Sequence, residues 1–171
     1  MLIRYLMIFA VVITLGACST TDEDSMQGDV PVREGISDGP LEEIYQDNMQ
    51  GPAPGTQADL VVNVGDRVFF GYDRYDVSSE ARMTLDKQAN WLRQHPSLTI
   101  TVEGHADERG TREYNLALGE RRASAVKNYL VALGVAPSRV LTISFGKERP
   151  AVPGANDTAW AQNRRGVTKV D

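Results

Sequence analysis

The sequence predicts an α+β domain in which strand, helix, strand, helix and strand follow in order. A short final helix and strand complete a mixed sheet covered by helices. Three observations carry this. Leu98, Ile100 and Val102 alternate with Thr99, Thr101 and Glu103, the two-residue period of a strand, and residues 140–145 behave the same way. Apolar residues recur at helical spacing between such stretches, at Ala81, Leu85, Ala89 and Leu92. Strands and helices interleave, which requires crossover connections and helices packed on a sheet.

The elements follow in chain order. Within Val61–Tyr72, the β-branched and aromatic run Arg67-Val68-Phe69-Phe70-Gly71-Tyr72 predicts the first strand. Ser78 or Ser79 caps the first helix, and His95-Pro96 stops it. The second strand ends at Gly104, and the loop His105 to Thr111 leads into a long helix from about Glu113 to Leu133, closed by Gly134. The third strand spans Val140 to Phe145. A Gly/Pro-rich loop follows, then a short helix over Thr158–Arg165 and a last strand over Val167–Val170. That strand opens with Gly166, which predicts a frayed sheet edge.

The rest of the chain is an address and an arm. Arg4 precedes an apolar run from Tyr5 to Leu15 that is about half the ~20 residues a membrane-spanning helix needs, so residues 1–17 read as a secretory signal. Leu15-Gly16-Ala17-Cys18 resembles the lipobox of bacterial lipoproteins, in which the cysteine becomes an acylated N-terminus. Ser19, where Asp would resemble an inner-membrane retention signal, directs the expectation to the outer membrane, facing the periplasm. Residues 18–60 read as the lipidated Cys and a flexible acidic linker. Residues 19–60 hold ten acids and one base, with four prolines, and lack a core pattern. Stretched out, such an arm reaches roughly 140 Å. The domain is expected over residues 61–171, which carry 13 acids and 16 bases.

Composition excludes several functions. One Cys and two His make neither a disulfide framework nor most closed zinc sites. A net charge of −5 opposes general nucleic-acid binding. No cofactor or metal is expected. A catalytic reading would cast His105 and Glu103 with Ser144, but nothing in the sequence makes these three converge.

One residue of the long helix is out of place. At 100° per residue, Arg122 falls about 40° from Leu118, inside the stripe formed by Ala125, Tyr129, Leu133 and Val126. A guanidinium aimed into a core needs a carboxylate or a ligand, because an unpaired buried charge costs several kcal/mol. Asp107, in the loop after the second strand, is the nearest candidate. Either the two form a buried ion pair, or they face a cleft as a receptor for a zwitterion. In the second case Asp107 takes an ammonium and Arg122 grips a carboxylate, and the fold should survive loss of Arg122.

The run from Thr101 to Ala123, with Gly104-His105-Ala106-Asp107-Glu108-Arg109-Gly110 and Asn115-Leu116-Ala117-Leu118-Gly119-Glu120-Arg121-Arg122 inside it, resembles the OmpA-like peptidoglycan-binding signature. The resemblance covers about residues 61–165. It implies an OmpA-like fold without enzymatic activity and a ligand that is the free end of meso-diaminopimelate in peptidoglycan stem peptides. By motif position it implies contacts from Tyr72, Asp73, Tyr75, Asp107, Arg109, Asn115, Leu118 and Arg122. Taken alone, the tyrosines also fit packing, Asn115 a helix cap and Leu118 a core position. The resemblance further implies TolB, with TolA as another candidate, as protein partners.

Overall fold

The computed structural model describes residues 51–171. The expected signal, Cys18 and the arm as far as residue 50 lie outside the described residues.

A helical turn, Gln57–Asp59, opens the described chain and runs into a π-helical turn, Leu60–Val64. This corrects the expected boundary, since residues 57–60, expected in the linker, are helical and run straight into the turn that ends at Val64. The reason is local. The Thr56 hydroxyl caps the turn by accepting from the Asp59 N–H at 3.2 Å. The Asp59 carboxylate then accepts from Gly55 N, Asn63 Nδ2 and Trp91 Nε1, each at 2.8 Å, and Leu60 is fully buried beside it. Those three donors hold the Asp59 carboxyl below its usual range.

Strand β1 is short, Arg67–Phe69. Helix α1, Ser79–Gln94, starts at Ser78, whose hydroxyl accepts from Ala81 N. Strand β2 spans Ile100–His105, helix α2 Arg112–Ala132 and strand β3 Val140–Gly146. Thr111 caps α2, and Gly134, at φ +94°, follows its end. Helix α3, Asp157–Asn163, and strand β4, Arg165–Val170, close the chain. The predicted helices and strands are therefore present, with no end shifted by more than three residues.

The sheet order is β1-β4-β2-β3. Strand β4 is antiparallel to both neighbours, and β2 and β3 run parallel through the α2 crossover. The expected frayed edge is overturned, because β4 is an inner strand, with Gly166 registered against Val68 on one side and Gly104 on the other. Glycine fits there because a Cβ would come within 3.3 Å of Val126 on α2.

The core lies between sheet and helices. Val68, Ile100, Val102 and Val140 from the strands meet Leu85, Leu92, Val126 and Leu130 from the helices, all 3 % exposed or less. Each such side chain contributes roughly 1.5–3 kcal/mol by burial. Helix α2 also touches the sheet backbone to backbone. A Cβ on Gly104 would stand 1.9 Å from the Gly119 carbonyl oxygen, so no side chain fits at that crossing. One turn beyond it, α2 places Arg122 beneath the end of β2.

Candidate functional site

Where β2 ends, a cavity of about 190 Å³ is lined by Tyr72, Asp73, Asp107, Arg109, Gly110, Tyr114, Asn115, Leu118 and Arg122. Seven of the eight residues expected at the site meet here. Tyr75 does not; it is half exposed, and its ring lies 5.9 Å from the Arg121 guanidinium.

Arg122 is fully buried. Its Nε donates to the Arg74 carbonyl at 2.8 Å, Nη1 to the His105 carbonyl at 2.8 Å and Nη2 to the Gly71 carbonyl at 3.1 Å. No carboxylate of the described residues bonds to it. The ion pair with Asp107 is not formed, and Arg122 is nevertheless structural, since it ties the loop after β1 to the end of β2. Five N–H groups minus three used leaves one on each terminal nitrogen without a protein acceptor among the described residues. Burial pushes its pKa down to about 10, with nearby Asp107 opposing, so the charge persists at neutral pH.

Asp107, 5 % exposed, belongs to other arginines. Its Oδ2 accepts from Arg109 Nη2 at 2.5 Å and from Arg164 Nη1 at 3.3 Å, while Oδ1 accepts from Arg109 Nε and the Arg109 backbone N–H. Burial acts to raise this carboxyl, but the donors outweigh it and hold the group below its usual range. Arg109 lies against two rings, 4.1 Å from the centroid of Tyr72 and 4.1 Å from that of Trp160.

The remaining groups fix the rim. Asp73 has a left-handed backbone, φ +53°, uncommon for a residue with a side chain. Its carboxylate accepts from the Tyr114 hydroxyl. Asn115 is buried and donates to the Arg109 carbonyl at 2.8 Å. It therefore pins the loop from Asp107 to Thr111, and capping of α2 falls to Thr111. Lys147 fixes that loop from outside through the Glu108 and Gly110 carbonyls. Leu118 supplies an apolar wall.

Sequence reasoning missed Tyr114, Gly110, Arg164 and Trp160. The pair Gly110, at φ +89°, and Thr111, the helix cap, was a usable signal for the loop's turn. Arg164 and Trp160 carried none, because they reach Asp107 and Arg109 only through the fold. Of the triad weighed for catalysis only two members meet, His105 Nε2 lying 3.5 Å from Glu103 Oε2, and Ser144 is turned elsewhere. The Ser144 hydroxyl donates to the Leu116 carbonyl on α2, whereas the His105 ring stacks on Phe145 from the neighbouring strand. No cluster of three or more potential metal ligands occurs among the described residues.

A mixed sheet with two long helices, and a charged cleft where a strand enters the long crossover helix, define a small α+β ligand-binding module. The sequence profile of the OmpA family matches residues 69–164. The peptidoglycan-associated lipoprotein of Rhizobium meliloti is 56 % identical over 115 residues, 67 % of this chain and 65 % of that protein's own length. The protein of the same name from Haemophilus influenzae is 37 % identical over 166 residues, 96 % of this chain and 95 % of that one. Among solved structures, the peptidoglycan-associated lipoprotein from Burkholderia pseudomallei superposes with a TM-score of 0.61 at 42 % identity, over 62 % of this chain and 90 % of that one. The C-terminal domain of Helicobacter pylori MotB, at 20 % identity and TM-score 0.58, shares the fold. The chain belongs to the OmpA family, with the peptidoglycan-associated lipoproteins. It is a binding protein and not an enzyme.

Proposed function

We propose that this pocket binds the free end of meso-diaminopimelate in uncrosslinked peptidoglycan stem peptides, non-covalently, and so tethers the outer membrane to the cell wall. The observation that carries this is Arg122, a buried cation that has no carboxylate partner among the described residues, keeps two N–H groups and lines a cavity shared with Asp107. A small zwitterion matches both ends, its carboxylate on Arg122 and its ammonium on Asp107. Tyr72, Asp73, Arg109, Asn115 and Leu118 shape the walls around it.

The rest of the chain fits that role. Acyl chains on Cys18 anchor the protein in the outer membrane on its periplasmic face, and the arm between Cys18 and the helical turn at Gln57 spans toward the wall. No helix of the described residues is long and apolar enough to cross a membrane. We place the protein in a Tol-Pal system serving envelope integrity and cell division, with TolB as partner at a surface overlapping the wall site and TolA as another partner. These assignments rest on the family resemblance.

Calorimetric titration with a soluble stem peptide ending in diaminopimelate tests the pocket. Saturable binding that is lost in Asp107→Ala is the expected result. Equal binding of that peptide by wild type and Asp107→Ala would overturn the assignment.

A further inference from the structure

Asp107 is not free to receive a ligand's ammonium, because Arg109 already occupies it. Two nitrogens of the Arg109 side chain and its backbone N–H point at the carboxylate, the shortest contact being 2.5 Å. The guanidinium is held there by the rings of Tyr72 and Trp160, each with its centroid 4.1 Å from the guanidinium carbon. Trp160 lies on α3, outside the cavity lining, and its indole N–H donates to Glu108 at 3.1 Å, which orients the ring over Arg109.

Resting on the zwitterion reading of the pocket, we infer that Arg109 is a built-in occupant of the cation half of the site. A ligand ammonium must displace it from Asp107, and Trp160 is the positioning residue that sets how firmly it is held. Because the two aromatic contacts stabilise the unliganded arrangement, loosening them raises affinity for an ammonium-bearing ligand. A ligand that brings only a carboxylate reaches Arg122 without moving Arg109 and is indifferent to Trp160.

The test uses two probes on the full chain in detergent: the stem peptide ending in diaminopimelate, and the same peptide with the free amine replaced by hydrogen. Trp160→Leu should bind the first about two- to fivefold tighter than wild type, the scale of one exposed cation–π contact, and bind the second unchanged. Trp160→Phe keeps a ring over Arg109 and should stay near wild type, although it too lacks the indole N–H. In the wild-type protein, the Arg109 Nε–H magnetic resonance should shift on saturation with the amine-bearing peptide and hold still with the other. The inference is overturned if Trp160→Leu binds the diaminopimelate peptide no more tightly than wild type. It is also overturned if the Arg109 resonance does not move in the saturated complex, a result that decides the matter alone should Trp160→Leu fail to fold. Wild type binding neither peptide would overturn the zwitterion reading itself, and this inference with it.

Discussion

Replacing Arg122 by methionine separates what the residue does for the fold from what it does for the ligand. Methionine fills much of the same space and brings no charge, so the variant is relieved of desolvating a guanidinium. Against that relief, three carbonyls lose their donor. Those of Gly71 and Arg74 lie in an exposed loop where water takes over. The His105 carbonyl lies in a buried contact, and one orphaned buried acceptor costs about 1–3 kcal/mol. Stability should therefore fall by about 1–3 kcal/mol, with the loop of residues 71–74 loosened. Binding should weaken by about 2–5 kcal/mol, because the ligand carboxylate would enter a pocket without its cation. A denaturant melt and a calorimetric titration with the diaminopimelate peptide on the same variant give both numbers. Normal binding with a lowered melt would refute the ligand role and leave Arg122 as a loop anchor. Lost binding with an unchanged melt would refute the structural role assigned to its three carbonyl contacts.

Gly104→Ala places a methyl 1.9 Å from the Gly119 carbonyl, so α2 must move off β2; we expect at least the roughly 1–3 kcal/mol of an overpacked core, read by thermal melt, together with weaker peptide binding as Arg122 moves with its helix. His105 is pushed down to about 4, first by burial and then by Arg165, Arg149 and Lys169, against 6.5 for the free side chain. The unfolded chain then binds the proton first, so this contribution to stability is full above about pH 6.5 and falls by up to about 3 kcal/mol towards pH 4. His105→Phe should flatten that part of the stability profile, and an unchanged profile would refute the assignment. Cys18→Ser should leave an unprocessed or mislocalised precursor, checked by membrane fractionation, since a serine hydroxyl does not replace the thiolate as lipid acceptor.

The parts of the site legible in the sequence are those governed by local periodicity. Arg122 stood out because an α-helix repeats every 3.6 residues and its neighbours on the stripe are apolar. Asp107 followed from its place at a strand exit. What periodicity cannot report is the partner of each charge. Asp107 and Arg122 were close enough to suggest a pair, yet the donors on Asp107 come from Arg109 and from Arg164, 57 residues away in the chain. The N-terminal boundary of the domain shows the same limit. Gly55 and Pro54 read as linker, but the turn they precede is held by Trp91, 32 residues beyond Asp59.

The strand order explains why these distant residues meet. Strands β1 and β2 are both antiparallel to β4, so they run in one direction, and β3 is parallel to β2. The chain therefore leaves β1, β2 and β3 at the same end of the sheet where it enters β4. That end collects the residues after Phe69, the loop from Asp107 and the lysine after Gly146. It also collects Arg164, immediately before β4, which bonds both the Phe70 carbonyl and Asp107. Had β4 lain frayed on an edge, Arg164 would not stand between β1 and β2, and Asp107 would have lost one of its two cations. Inserting the last strand between the first two thus brings to the cleft a charge that arrives only when the sheet is complete. The pocket is therefore a product of long-range strand pairing, and the helix that carries Arg122 supplies only one side of it.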